Sequence, residues 1–310
     1  MNRSTTTGIV VEVFGKEALV LLSDNPLYIG GEEVFCSMRG NFLHDLKRTK
    51  QVLSVGDMVV VDQAHRICSL VARRNVLYSR PPRSYYRKAI AVNVQELFIV
   101  VAANAPQIPF YSIDRYLVAA CSTKIKSYIV CNKVDCPGSE EVLEQIRSIY
   151  EPLGIPCCAT SATENQGIDE LVSKVTYCAF VGASGVGKTS LMNLLVNRQR
   201  KVRQVNRLQR GCHTTTTARL LPLKNGKGVC IDTPGRKSLH IDVQLDKETL
   251  RRSFDDIHQL GQDCLYSGCS HIHEPHCAVK EALREGKLVT SRYDSYGRIL
   301  EEIETEEKSW

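Results

Sequence analysis

A chain of 310 residues with 43% apolar and 24% charged side chains is long enough for two or three cores, and its composition fits neither a disordered nor a membrane-spanning protein. No apolar run reaches the length of a bilayer, and the opening MNRSTTTGIV lacks the charged-then-apolar layout of a signal peptide, so the cytoplasm is the expected location. The net charge of +6 is uneven: Arg73, Arg74, Arg80, Arg83, Arg87 and Lys88 lie between Val71 and Ile90 with no acidic residue, and Arg198, Arg200, Lys201, Arg203, Arg207 and Arg210 lie between Asn197 and Arg210, again with none. The remainder is net acidic, and two basic stretches on an acidic body suit a polyanionic partner such as RNA.

Residues 8 to 75 alternate apolar and polar positions in short runs, GIVVEVF, EALVLL, DMVVVD and ICSLVAR, around a glycine-punctuated middle. This spacing predicts a small β-barrel of the oligonucleotide-binding type over 1–75. The next segment, SRPPRSYYRK, breaks the rhythm with two prolines and reads as a basic linker, 76–91.

From Val92 the pattern becomes strand alternating with helix: ELFIVVAAN, a helix over 112–122, SYIVCNKVD, the helix EEVLEQIRSIYEPLG, then YCAFVGASGVGKTSLMNLLV and GVCIDTPG. Continuous apolar strands between helices predict a doubly wound, mainly parallel sheet, an α/β domain over 92–240. Residues 241–310 are predicted to form a helical, charged domain around a cysteine and histidine cluster.

Four motifs fall at the carboxyl ends of these strands, where ligands of open α/β sheets bind. Asn132, Lys133 and Asp135 form NKVD; an Asp there can accept two hydrogen bonds from the guanine edge, whereas adenine presents the opposite pattern. Ser161 and Ala162 of TSA would bring a backbone N–H to the guanine carbonyl. Gly182, Ala183, Ser184, Gly185, Val186, Gly187, Lys188 and Thr189, followed by Ser190, satisfy G-x-x-x-x-G-K-S/T between strand and helix. Backbone N–H groups and a helix N-terminus there cradle phosphates, Lys188 reaches the β and γ phosphates, and Thr189 ligates magnesium. Asp232 of DTPG would hold a magnesium-bound water, and the Gly235 N–H the γ-phosphate.

Together the four motifs describe a GTPase, but NKVD and TSA precede the phosphate loop instead of following it. That order is a circular permutation, tolerated where old termini lie close together. The segment GCHTTTT at 211–217 occupies the place of a first switch; counting back from the strand ARLLPL, Thr216 is the expected magnesium ligand, with Thr215 the alternative. No glutamine follows DTPG to orient the attacking water; His213, within the first-switch segment, is a candidate substitute by its position, whereas Arg236 can stabilise phosphate charge but cannot act as a base.

Of thirteen cysteines, Cys36, Cys68, Cys121, Cys131 and Cys230 read as small buried thiols. Cys264, Cys269 and Cys277 crowd together with His271, His273 and His276, a Cys3His set suited to one closed, structural zinc site.

Over nearly its whole length the chain resembles the small-ribosomal-subunit-dependent GTPase A (RsgA) family, in GASGVGKTSL, NKVD, GCHTTTT, DTPG and C-x4-C-x-H-x2-E-P-x-C. The resemblance implies a barrel, a permuted GTPase domain and a zinc-bearing tail. It implies GTP hydrolysis with Mg, stimulated by the small ribosomal subunit during its late maturation through contacts with ribosomal RNA. It also favours His271 as the zinc-binding histidine and His213, with Lys188 and Thr216, as the catalytic set. A monomer is expected. Arg236 departs from the family, where the position after DTPG is often apolar. Two other readings stand beside this one: an RNA-binding module with nucleotide as a structural ligand, and a GTPase directed at tRNA or translation.

Overall fold

A computed structural model of the chain describes residues 5–23, 31–79, 88–105, 107–196, 218–226, 228–232, 241–242 and 246–308. Thr5–Phe14 (β1), Glu17–Leu22 (β2), Glu33–Met38 (β3), Met58–Asp62 (β4) and Arg66–Leu70 (β5) close into a barrel in the order β1-β2-β3-β5-β4. Along β1 the alternation serves two cores: Val10 packs inside the barrel with Val20, Val59 and Ile67, whereas Ile9 and Val11 pack outward with Leu97 and Ile99 of the next domain. The glycine-punctuated stretch holds two elements the alternation did not resolve, β3 and the helix Gly40–Arg48 (α1). With only Phe42 and Leu46 buried and no side-chain cap, α1 carries little helical signal of its own and is held by the barrel wall.

The span read as a linker begins and ends in strands. Val76–Ser79 (β6) and Lys88–Val92 (β7) pair antiparallel. Nor is every cation of that basic stretch free: Arg73 holds both carboxylate oxygens of fully buried Asp57 at 2.7 Å, a bidentate pair inside the protein.

The central domain contains Glu96–Ala102 (β8), Phe110–Ser122 (α2), Lys126–Asn132 (β9), Ser139–Tyr150 (α3), Cys157–Thr160 (β10), Ile168–Ser173 (α4), Tyr177–Val181 (β11), Lys188–Leu195 (α5), Arg219–Pro222 (β12) and Val229–Asp232 (β13). The sheet order is β10-β9-β8-β11-β13-β12, and every neighbouring pair is parallel except β12 with β13. Every residue of β8 and β11 is buried, which is why both read as unbroken apolar runs. The chain winds outward from β8 to β10, then returns to lay β11 on the other side of β8. The strand order therefore reverses between β8 and β11, and a crevice opens outside the carboxyl ends at such a reversal.

Ile241–Asp242 (β14) joins the free edge of β6, so residues beyond the GTPase sheet return to the region between barrel and sheet. Lys247–Ser253 (α6), Asp255–Gly261 (α7), Ala278–Arg284 (α8) and Thr290–Lys308 (α9) follow. Asp246 caps α6 through the Thr249 N–H at 2.6 Å. Leu250, Phe254, Ile257, Val279 and Tyr296 form a core that also takes in Val118 of α2.

Arg292 ties this domain to the sheet. Its guanidinium is almost fully buried, bonds Asp114 of α2, holds both oxygens of Asp256 at 3.0 Å and lies 4.3 Å over the Phe254 ring. Burial would lower the Arg292 pKa, but Asp114 and Asp256 outweigh it and hold the guanidinium above its usual range.

The described cysteines are all free thiols; Cys36, Cys131 and Cys230 are buried as expected, but Cys68 is half-buried and Cys121 is exposed on the last turn of α2. Among the described residues no helix is long and apolar enough to cross a membrane.

Candidate nucleotide site and metal cluster

The register brings the predicted motifs to one edge of the sheet. Ala102 lies opposite Asn132, and Thr160 lies opposite Asn132 from the other side. Val181 lies opposite Ile99, while Ala179 pairs with Ile231, so Asp232 ends its strand beside the start of the phosphate loop. The NKVD, TSA and phosphate loops and Asp232 thus emerge together although 100 residues separate Asn132 from Asp232 in sequence.

Two glycines of the phosphate loop are dictated by contact. Gly182 has φ +139°, and a Cβ there would lie 2.2 Å from the Val100 carbonyl oxygen. Gly187 has φ +98° and opens α5; a Cβ would lie 2.1 Å from Asn132 Nδ2. Lys188 Nζ donates to the carbonyls of Gly182 and Ala183 at 2.9 and 2.6 Å, which holds the side chain across the mouth of its own loop. Burial pushes its ammonium down from the usual lysine range, a shift that a phosphate anion would oppose. Ala183, Ser184, Gly185, Thr189 and Ser190 are exposed, Gly187 and Lys188 are half-buried and Val186 is buried.

Asn132 is the hub of the site. Its amide donates to the Val186 carbonyl at 2.9 Å, and its Oδ1 accepts from the Ala162 N–H at 3.2 Å and the Thr160 hydroxyl at 3.3 Å. One buried side chain therefore fixes the phosphate loop to the TSA loop. The Ala162 N–H expected to face guanine is held by Asn132 here, so the two motifs first meet each other. Lys133 adopts φ +69°, and the loop is closed by Ser139 Oγ donating to the Val134 carbonyl at 2.7 Å, which leaves Asp135 exposed at the rim. Ser161 pairs with Gln166 in an isolated bridge, and its hydroxyl accepts from the Glu164 N–H at 3.0 Å, so that side chain is spent on its own turn.

Sequence reasoning left Thr160 of TSA without a role and missed Tyr116. Tyr116 and Gly182 line one cavity, and burial pushes the Tyr116 pKa up. No local signal marks Tyr116, which comes to the same cavity as Gly182 only once β8 and β11 pair. His213, Thr214, Thr215, Thr216, Thr217, Gly235 and Arg236 lie outside the described residues, as does the basic stretch 197–210.

Cys264, Cys269, His271 and Cys277 bring their ligand atoms within 4.8 Å of one another and can hold a metal ion. The Cys264–Cys277 sulfur separation is 3.8 Å, and each of those sulfurs lies 3.5 Å from His271 Nδ1. Metal–sulfur bonds of about 2.3 Å in a tetrahedron require edges of about 3.8 Å, so the donor set fits. Burial pushes the Cys269 thiol up to about 12, a shift that a bound cation would oppose. His273 and His276 are exposed and outside the cluster, and His271 is the histidine that lies beside the three sulfurs. The Tyr293 hydroxyl donates to the His271 carbonyl at 2.8 Å and anchors the loop to α9.

The RsgA GTPase family model matches residues 70–242. A curated relative from Caldanaerobacter subterraneus subsp. tengcongensis, named small ribosomal subunit biogenesis GTPase RsgA, is 36% identical over 88% of this chain and 90% of its own length. A relative of the same name from Thermotoga maritima is 34% identical over 88% of this chain and 90% of its own. Among solved structures, YjeQ from Thermotoga maritima superposes with a TM-score of 0.73 at 29% identity, covering 97% of this chain and 99% of that one. YloQ, described as a circularly permuted GTPase, gives 0.71 at 25% identity, covering 98% of this chain and 96% of that one. With the motifs gathered at one crevice and this likeness running through barrel, sheet and helical domain, the chain belongs to the RsgA GTPase family, whose members are circularly permuted GTPases.

Proposed function

We propose that this GTPase acts in the biogenesis of the small ribosomal subunit, in the cytoplasm and as a monomer, binding ribosomal RNA and hydrolysing GTP when the subunit engages it. The relatives' names support the partner, and the observation that carries the site is Asn132, whose side chain joins the phosphate loop to the TSA loop. In this reading the backbone of 182–187 and Lys188 hold the phosphates, Thr189 ligates Mg, Asp232 holds its water, and Asp135 reads guanine from the rim. Magnesium, when bound with the nucleotide, would supply positive charge against that developing on the phosphates. From the family resemblance, His213 orients the attacking water, Thr216 joins the magnesium shell and Gly235 meets the γ-phosphate. The Cys3His cluster takes one zinc ion and closes it, which makes the site structural and not catalytic.

Purified protein should hydrolyse GTP slowly alone and faster with small subunits, but not with large subunits or naked RNA. Equal stimulation by all three, or by tRNA alone, would replace the small subunit with a different partner.

The base-reading role gives a separate test. Asp135→Asn should shift preference from GTP toward xanthosine triphosphate, because the amide reverses one donor and acceptor role at the purine edge. A fluorescent-nucleotide titration in which GTP affinity is unchanged would remove Asp135 from that role.

A further inference from the structure

Strict alternation along β1 would set Glu12 opposite Ala18, inside the barrel, because Val10 lies opposite Val20 there. A bulge intervenes, and Glu12 pairs instead with Leu19, which packs outward against the GTPase sheet with Leu220 and Ile231. The extra residue thus turns a carboxylate out of the barrel core and onto the junction with β12. There Glu12 Oε2 lies 3.4 Å from Arg219 Nε, and both side chains are half-buried, which spares the pair much of the screening that a surface pair meets. The buried Nε makes no hydrogen bond, so charge and not a directed bond holds the guanidinium.

Arg219 opens β12, and its register partner on β13 is Asp232. Directly opposed residues of an antiparallel pair point to one face: Leu220 and Ile231 pack together into one core of the sheet, and Leu221 and Cys230 into the other. Arg219 and Asp232 therefore stand side by side on one face, and the barrel supplies a second carboxylate to the same guanidinium. Asp232, with the Thr189 hydroxyl at the start of α5, offers the hard oxygen donors that magnesium takes.

We propose that Arg219 is a positioning residue for the magnesium site, acting through Asp232, and that Glu12 lets the barrel set how strongly it acts. The proposal rests on the assignment of Asp232 to magnesium. While Glu12 neutralises the guanidinium, Asp232 keeps its negative charge for the metal-bound water. When the barrel moves away from β12, the unneutralised guanidinium competes with the metal for Asp232. Barrel seating and magnesium-dependent nucleotide binding are then coupled by the same factor in both directions.

Titration of fluorescent GDP into the full-length protein over a magnesium series, and again with magnesium chelated, tests this. Glu12→Gln, which keeps the shape and removes the charge, should raise the half-saturating magnesium concentration by about three- to tenfold and leave affinity in chelator unchanged. Arg219→Gln should show no such rise, and in its background Glu12→Gln should have no further effect, because the cation to be neutralised is gone. Thermal melting should show all three variants folded. Parental magnesium dependence in Glu12→Gln would overturn the proposal. An equal loss with and without magnesium, or a Glu12→Gln effect that persists beside Arg219→Gln, would overturn it too and mark the pair as a tether between domains. Asp232→Asn is the control for the underlying assignment and should itself raise the magnesium requirement. If it does not, Asp232 is misassigned; if it does while the cycle is additive, the Arg219 role alone falls.

Discussion

Lys188→Ala should cut GTP turnover by at least about a hundredfold while leaving the protein folded. The ammonium is the one side-chain cation of the phosphate loop, and it already lies across the loop mouth, bonded to the Gly182 and Ala183 carbonyls. Charge that develops on the transferred phosphoryl group is met by groups fixed in place beforehand, and a lysine held this way needs little reorganisation to meet it. The fold should survive because the exposed Ala183 carbonyl can turn to water and α5 keeps Leu191, Met192 and Leu195 in the core. Lys188→Arg should not restore turnover, since a planar fork does not replace a compact ammonium at this spot. Single-turnover phosphate release together with thermal melting checks both halves. Undiminished release from Lys188→Ala would remove the residue from the chemistry.

Cys277→Ser should lower metal content and loosen the C-terminal domain by several kcal/mol, on the order of a structural zinc site. Cys269 and Cys277 are members of the same apolar core as Leu250, Phe254, Val279 and Tyr296, and Cys277 also sits at the start of α8. A metal at this cluster therefore fixes the loop between α7 and α8 and the packing of both helices at once. The GTPase sheet has its own core, so turnover without subunits should persist, reduced by no more than about tenfold. Metal analysis of freshly purified, reduced parent protein should find zinc; a metal-free parent with an unchanged melting curve in the variant would defeat the assignment.

The site was legible wherever chemistry is written into consecutive residues. NKVD, GASGVGKTS, DTPG and the clustered cysteines each carry their spacing with them, and β8 and β11 announce themselves as apolar runs because both faces of each are covered. What escaped depends on partners far away in sequence. β3 and α1 are weak elements completed by the barrel, and β6 pairs with β14 from beyond the whole GTPase sheet in sequence. Asn132 was read as a base-binding residue, but its bonds to Val186, Thr160 and Ala162 become visible only once β9, β10 and β11 are aligned. Spacing alone does not separate His271 from His273 and His276; the family resemblance favours His271, and the loop's path brings it beside the three sulfurs.

The sheet order has a consequence for synthesis of the chain. β8, β9 and β10 leave the ribosome first and can pair as a three-stranded unit, but the inner side of β8 then waits for β11. During that interval a strand buried at every residue in the finished domain is an open edge, with backbone groups free to pair with another chain. Nucleotide cannot shorten the wait, because the loop that would grip it follows β11. In an unpermuted arrangement the phosphate-loop strand emerges early and its neighbours arrive onto it; here it is the late keystone. The barrel, complete before β8 appears, offers the outward face of Ile9 and Val11 as apolar cover, so the order of the domains along the chain partly compensates for the order of the strands.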